Sequence, residues 1–183
     1  MELLSGGRRW ARALMRDMAQ PLRPSAVLIP IVERHDGLTV LLTERAADLT
    51  HHAGQISFPG GGMEAGDQDL AATALREAEE EVGLRSFDIE IAGFLAPLPT
   101  ISGFAVTPVV GLVNATAQLT LDRREVAAAF EVPLEFLLNA DNQRHSMRTV
   151  GGMEVPVIAY HYEQWKIWGA TASMIVSLQN KLL

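Results

Sequence analysis

The chain of 183 residues contains no cysteine. Disulfides and every thiolate-ligated zinc or iron–sulfur centre are therefore excluded, and a reducing cytoplasm suits the composition. Lysine is almost as scarce, occurring only at Lys166 and Lys181, and the formal charge is −7. A surface of that sign repels phosphate backbones, so no nucleic-acid partner is expected. No apolar run approaches the roughly 18–20 residues of a membrane span, so no membrane partner is expected either. Disorder is excluded by an apolar fraction of 48% with 20% charged residues.

No repeat or low-complexity linker interrupts residues 1–183, and one domain is the simplest reading. "RRWARALMRDM" near the start is Arg-rich but lacks the apolar core of a signal peptide. Glu2 and Asp17 oppose an organelle leader. Residues 1–24 are read as an N-terminal helical extension. "SAVLIPIVER" (Ser25–Arg34) and "LTVLLTER" (Leu38–Arg45) flank an Asp36-Gly37 pair, the pattern of a β-hairpin. "GQISFPGGGMEAGD" adds a short strand and three glycines.

From Asp69 to Val82 the period changes. Ala71, Ala74, Leu75, Ala78 and Val82 form one apolar helix face, with Asp67 or Asp69 as its cap and Gly83 at its end. "IEIAGFLAPL" and "FAVTPVVGLV" read as strands around a Pro97–Gly103 loop. Glu125–Val132 fits strand or helix, and Pro133 opens a short helix. "SMRTVGGMEVPVIAYHY" reads as a hairpin about Gly151-Gly152, and "ATASMIVSLQNKLL" as a closing amphipathic helix. Strands interleaved with helices predict an α/β fold, a mixed sheet covered on both faces.

The helix is unusual for its other face, "ALREAEEEVGL", which holds four carboxylates in five positions. Like charges at i,i+4 repel, so either water screens them or a cation sits on them. Glu77 and Glu81 stack on one face and Glu80 projects beside them. Hard divalent cations take such oxygens, and magnesium shares itself with substrate phosphates. A glycine-rich loop beside the acids lets backbone approach a ligand.

The stretch Gly62–Leu84 resembles the Nudix box, G-x5-E-x7-R-E-U-x-E-E-x-G-U with U aliphatic. Gly62, Arg76-Glu77, Glu80-Glu81 and Gly83-Leu84 match; Ala78 takes an aliphatic position. Gln68 stands where the first glutamate belongs, so an ion pair to Arg76 must come from elsewhere, with Asp67 and Glu64 nearby. "LLTERAADLTHHAGQISFPGG" (Leu41–Gly61) resembles the signature of the coenzyme A diphosphatase branch, L-L-T-x-R-[SA]-x3-R-x3-G-x3-F-P-G-G. Thr50 replaces its second arginine.

The resemblance implies a Nudix α/β/α sandwich that hydrolyses a nucleoside diphosphate derivative, coenzyme A favoured, with Mg²⁺ or Mn²⁺. Glu77, Glu80, Glu81 and the carbonyl of Gly61 or Gly62 would hold the metal. Glu77 or Glu80 would serve catalysis, Arg76 would orient a catalytic carboxylate, and Arg45, Gly60 and Gly61 would meet the substrate. Arg45 could equally be a structural ion pair. Glu125 and Glu131 are further candidates for the base. His51 and His52 are read as shaping a loop, Trp165 and Trp168 as packing, and Met147, Met153 and Met174 as apolar fillers. ADP-ribose, a dinucleotide polyphosphate or a nucleoside triphosphate are rival substrates, and a non-catalytic Nudix-like binding module is a rival of another class. The sequence does not set the oligomeric state; a homodimer stays open.

Overall fold

The computed structural model describes residues 21–48, 52–150 and 153–183. The expected N-terminal helix, Thr50, His51 and the Gly151-Gly152 turn lie outside the described residues, as does the side chain of Met153. Strand β1 (Arg23–Arg34) begins inside the range assigned to the helical extension, since Arg23 and Pro24 pair with Phe104 and Ala105.

β1 and β2 (Gly37–Arg45) form the expected hairpin, with Arg34 opposite Gly37. Then come β3 (Ile56–Ser57), β4 (Gly60–Gly62), helix α1 (Leu70–Val82), β5 (Ile89–Phe94) and β6 (Leu98–Pro99), the last inside the expected loop. β7 (Phe104–Val113), β8 (Val126–Pro133), the short helix α2 (Leu134–Leu138), β9 (Gln143–Val150), β10 (Met153–Tyr162), β11 (Trp165–Trp168) and helix α3 (Ala170–Leu182) complete the chain. The segment that fitted either period is thus strand, because it pairs antiparallel with β2 from Thr39↔Pro133 to Arg45↔Val126.

The main sheet runs β3-β2-β1-β7-β5, with β4 on β1, β6 on β7 and β8 on β2. β1 and β7 are parallel and the other pairs antiparallel, so the sheet is mixed. β1 is buried on both faces, which explains its nearly unbroken apolar run. Ala26, Leu28 and Val32 face one core, shared with Ala74, Ala78 and Val82 of α1. Ile29 and Ile31 face the other, shared with Met174, Ile175 and Leu178 of α3. The two helices therefore cover opposite faces, and the architecture is an α/β/α sandwich. A smaller sheet, β11-β10-β9, adds Tyr160 and Ile167 to the α3 side. Among the described residues no helix is long and apolar enough to cross a membrane.

The alanines of α1 have a spatial purpose. With Ala74 and Ala78 fully buried against β1, the helix backbone approaches the sheet closely. The next positions round the helix then sit against β4. Larger side chains on that face would hold the acids away from the glycines.

Candidate functional site

Asp69 caps α1, its Oδ1 accepting from the Ala72 N–H at 2.8 Å. Gly83 closes the helix at φ 75°, with its N–H bonded to the Glu79 carbonyl at 3.0 Å. The Thr120 backbone packs against it, leaving no room for a side chain. The same loop bonds back along the helix end, Thr120 N–H to Val82 O and Asp122 N–H to Glu81 O.

The four acids of α1 fall into different environments. Glu79 and Glu80 are exposed and Glu77 is partly buried. Glu81 is only 3% exposed. Glu77 and Glu81 border the Ala74-Ala78-Val82 stripe, so core packing carries them inward. Of the four acids, only Glu79 and Glu80 are thus screened by water.

Inside, both carboxylates meet the glycine strand. Gly60 donates its N–H to Glu81. Gly61 lies so close to the Glu77 carboxylate that a Cβ would overlap it, and Gly60 presses equally hard on Ala26 and Val27. Glycine is required at position 60 by close approach to backbone, whereas a side chain at position 61 would displace the Glu77 carboxylate.

Burial pushes the Glu81 carboxyl up to about 8. The Arg45 guanidinium, with Nη1 3.8 Å from Glu81 Oε1, opposes that rise, while the charges of Glu77 and Glu125 add to it. Burial raises Glu77 as well; Arg76 opposes, and Glu80 and Glu125 contribute to the rise. The pocket gathers more negative charge than its two arginines neutralise.

Arg76 ties the arrangement together. Its Nε donates to Asp67 Oδ1 at 3.0 Å, and its Nη2 to Asp67 Oδ2 at 3.1 Å and the Gly62 carbonyl at 3.0 Å. Its Nη1 donates to Glu77 Oε1 and Glu80 Oε2, both at 3.0 Å. The guanidinium holds the Asp67 carboxyl far below the usual carboxylate range. The Gly62 carbonyl, expected to ligate metal, faces Arg76 here.

The family model described as NUDIX domain matches residues 21–150. The chain belongs to the Nudix family.

Its relatives include a protein named uncharacterized Nudix hydrolase NudL of Photorhabdus laumondii. That protein is 42% identical over 160 residues, spanning 87% of this chain and 85% of the relative. The NudL protein of Yersinia pestis is 44% identical over 87% of this chain and 80% of its own. The solved NUDIX domain of Shewanella oneidensis NrtR, complexed with ADP ribose, superposes with a TM-score of 0.57 at 14% identity, covering 94% of this chain and 98% of that one. The Nudix hydrolase RenU of M. smegmatis gives a TM-score of 0.54 at 22% identity over 64% of this chain and 74% of its own. The structural likenesses establish the fold; the sequence relatives establish a Nudix hydrolase.

For this Nudix hydrolase, the donor set suits a hard divalent ion. Among the described residues no three acidic or histidine side chains enclose one point. Magnesium, however, is ordinarily held by one or two carboxylates, with water and substrate phosphate completing its shell. Glu81, buried, and Glu77, partly buried beside it, are under-neutralised and fit that requirement.

Arg45 reaches the same place from β2. Its side chain is 26% exposed, and its Nε is buried without a hydrogen-bond partner. The two candidate bases separate clearly. Glu131 is held by Arg34 Nε at 3.0 Å and by the Thr39 hydroxyl at 2.6 Å, which lower its pKa, so it is part of a structural ion pair. Glu125 is exposed, and its charge acts on both Glu77 and Glu81.

Away from the acids, His52 bonds Gln55 through Nδ1 at 3.0 Å and shapes a loop. Trp165 stacks on Phe130 with centroids 4.3 Å apart, and Trp168 lies beneath Arg148. Met174 is buried as expected, whereas Met147 is 56% exposed and fills nothing. A concavity of about 180 Å³ lies on the small sheet, lined by Arg144, Arg148, His161, Lys166 and Trp168 among others. It contains none of the acids of α1.

Thr73 escaped the sequence reading. Its hydroxyl donates to Asp67 Oδ2 at 2.9 Å, and its place one turn before Arg76 on α1 was the only available signal.

Proposed function

We propose that this Nudix hydrolase cleaves the diphosphate of coenzyme A or an acyl-coenzyme A to 3′,5′-ADP and (acyl-)4′-phosphopantetheine, using Mg²⁺ or Mn²⁺. One observation carries the reading: the coenzyme A-type signature and the acidic box meet at a single place. Arg45 of the signature reaches Glu81 of the box, and Gly60 and Gly61 of the signature pack on Glu81 and Glu77. The cysteine-free composition suits the cytoplasm.

In this reading Glu77 and Glu81 hold the ion, with the exposed Glu80 completing the set. The bound ion supplies Lewis-acid polarisation of a phosphoryl oxygen and offsets the negative field of the protein. Arg76 keeps Glu77 and Glu80 in place. Arg45, whose side chain is partly exposed, offers its guanidinium to a phosphate oxygen, and the side-chain-free Gly60 and Gly61 give the diphosphate access to the carboxylates. Water attacks one phosphorus, the P–O–P bridge breaks, and Glu125 accepts the proton of that water at a carboxylate oxygen.

Thr50 favours a second reading. It removes one arginine from the signature and so weakens the case for the full coenzyme A pattern. ADP-ribose, a dinucleotide polyphosphate or a nucleoside triphosphate would use the same acids. The NrtR domain with its ADP ribose, and an Ap4A hydrolase of C. elegans at 20% identity and TM-score 0.52, over 61% of this chain and 80% of that one, share the fold and keep ADP-ribose and a dinucleotide polyphosphate among the substrates to test.

Product analysis decides. The protein is incubated with coenzyme A, ADP-ribose, a dinucleotide polyphosphate and a nucleoside triphosphate, with Mg²⁺ or Mn²⁺, beside Glu81→Gln. Metal-dependent 3′,5′-ADP and 4′-phosphopantetheine, absent with the variant, is the expected outcome. Turnover of another diphosphate alone replaces coenzyme A with that substrate. No turnover of any of them favours the binding module.

A further inference from the structure

We propose that Asp67 is a positioning residue for the metal-binding acids, occupying from one place upstream the position that the Nudix box gives to residue 68. The inference rests on the reading of Glu77, Glu80 and Glu81 as metal-binding acids.

A carboxylate from residue 68 is ruled out by its identity, glutamine, and Gln68 is exposed. The loop before α1 instead turns Asp67 inward. The Asp67 N–H bonds the Glu64 carbonyl at 3.1 Å, and the Glu64 N–H returns a bond to Asp67 Oδ2 at 2.9 Å. The Asp67 side chain is left only 6% exposed. Its Oδ2 also accepts from the Thr73 hydroxyl and Arg76 Nη2, and its Oδ1 from Arg76 Nε.

The result is a two-pronged carboxylate–guanidinium pair, the geometry that best fixes an arginine plane. Fixing that plane has a consequence for the acids. With Nε and one edge of Nη2 spent on Asp67, Nη1 is left to bond Glu77 and Glu80, at 3.0 Å each. It takes one oxygen of each, Glu77 Oε1 and Glu80 Oε2, and makes no hydrogen bond to the other two. Without Asp67, only the Gly62 carbonyl would hold that edge of the guanidinium, leaving its plane free to turn beside two or three carboxylates. The guanidinium would be free to bond the second oxygens of Glu77 and Glu80 as well, and compete with the ion for them.

Asp67 acts on the acids only through Arg76, and this can be measured. Mn²⁺ binding to the full chain, followed by electron paramagnetic resonance without substrate, gives a readout independent of turnover. Asp67→Asn should weaken Mn²⁺ binding by about 10–100-fold, the usual range for a residue that orients metal ligands. The substrate KM at saturating metal should move less than threefold. In an Arg76→Gln background the same Asp67→Asn change should have no further effect on Mn²⁺ binding, since the part it steers is gone. Gln68→Glu and Glu64→Gln should each stay within twofold of the unmutated chain.

Wild-type Mn²⁺ affinity in a folded Asp67→Asn protein overturns the proposal. So does an Asp67→Asn effect that persists undiminished without Arg76, or a tenfold gain from Gln68→Glu, which would mean that the position was not filled. If the unmutated chain binds no Mn²⁺ at all, the metal-site reading itself fails and this proposal falls with it. Thermal melts of each variant, taken well above the assay temperature, separate loss of position from loss of fold.

Discussion

Replacing Glu81 by glutamine should destroy hydrolysis and yet stabilise the metal-free protein, by an amount that grows with pH. Glu81 is 3% exposed, and burial raises its carboxyl to about 8 from the ordinary 4.5. An acid whose pKa is raised on folding binds its proton more tightly in the native state. Between pH 4.5 and 8 the native protein therefore carries more protons than the unfolded chain, and stability falls as pH rises through that window. One pKa unit corresponds to about 1.4 kcal/mol, so the cost approaches 3–4 kcal/mol near pH 7–8. For a chain of this size each kcal/mol moves Tm by about 2–4 °C.

Glutamine preserves the shape and can still accept from the Gly60 N–H, but it does not ionise. In EDTA, the Glu81→Gln protein should melt within about 3 °C of the wild type at pH 5 and roughly 6–16 °C above it at pH 8. Saturating Mg²⁺ or Mn²⁺ should close that gap by lifting the wild type alone, because only the wild type has the carboxylate that the ion would stabilise. Differential scanning calorimetry at the two pH values is the assay. A constant Tm difference across pH, or a variant less stable at pH 8 than the wild type, would refute the claim that this carboxylate is ionised at a cost.

Other perturbations follow from the same geometry. Gly61→Ala puts a methyl group where the Glu77 carboxylate lies and displaces it; activity should be lost while a denaturant melt changes by about 1 kcal/mol or less. Arg76→Lys cannot reach Asp67, Gly62, Glu77 and Glu80 together, and kcat should fall about 10–100-fold in a steady-state assay. Glu125→Gln should lower kcat by about 10²–10⁴ if it takes the proton, whereas Glu131→Gln should leave kcat near wild type and cost about 1 kcal/mol of stability. Gly83→Ala forces a side chain into the left-handed region against Thr120, and a urea melt should show a loss of about 1–3 kcal/mol.

The chain's local patterns determined a good deal. The apolar stripe of α1, its end at Gly83, the β1–β2 hairpin about Asp36-Gly37 and the covered mixed sheet all follow from periods of 3.6 and 2 and from turn chemistry. Those are interactions between residues near one another in the chain, and they read directly. The box and the signature were legible for the same reason, as identities at set offsets.

Contacts over long separations had to be decided by the tertiary structure. Glu125–Val132 suited two periods until β2 supplied a pairing partner more than 80 residues away. Glu125 and Glu131 looked alike in the sequence; Arg34 claims one of them across 97 positions and leaves the other beside the acids. Met147 read as an apolar filler and is exposed, because residues 144–149 of β9 are exposed on both faces. The acids of α1 were visible as a cluster, but which of them is buried depends on how closely Ala74 and Ala78 let the helix sit on β1. That closeness, together with glycines that leave room for carboxylates, turns an acidic helix into a site.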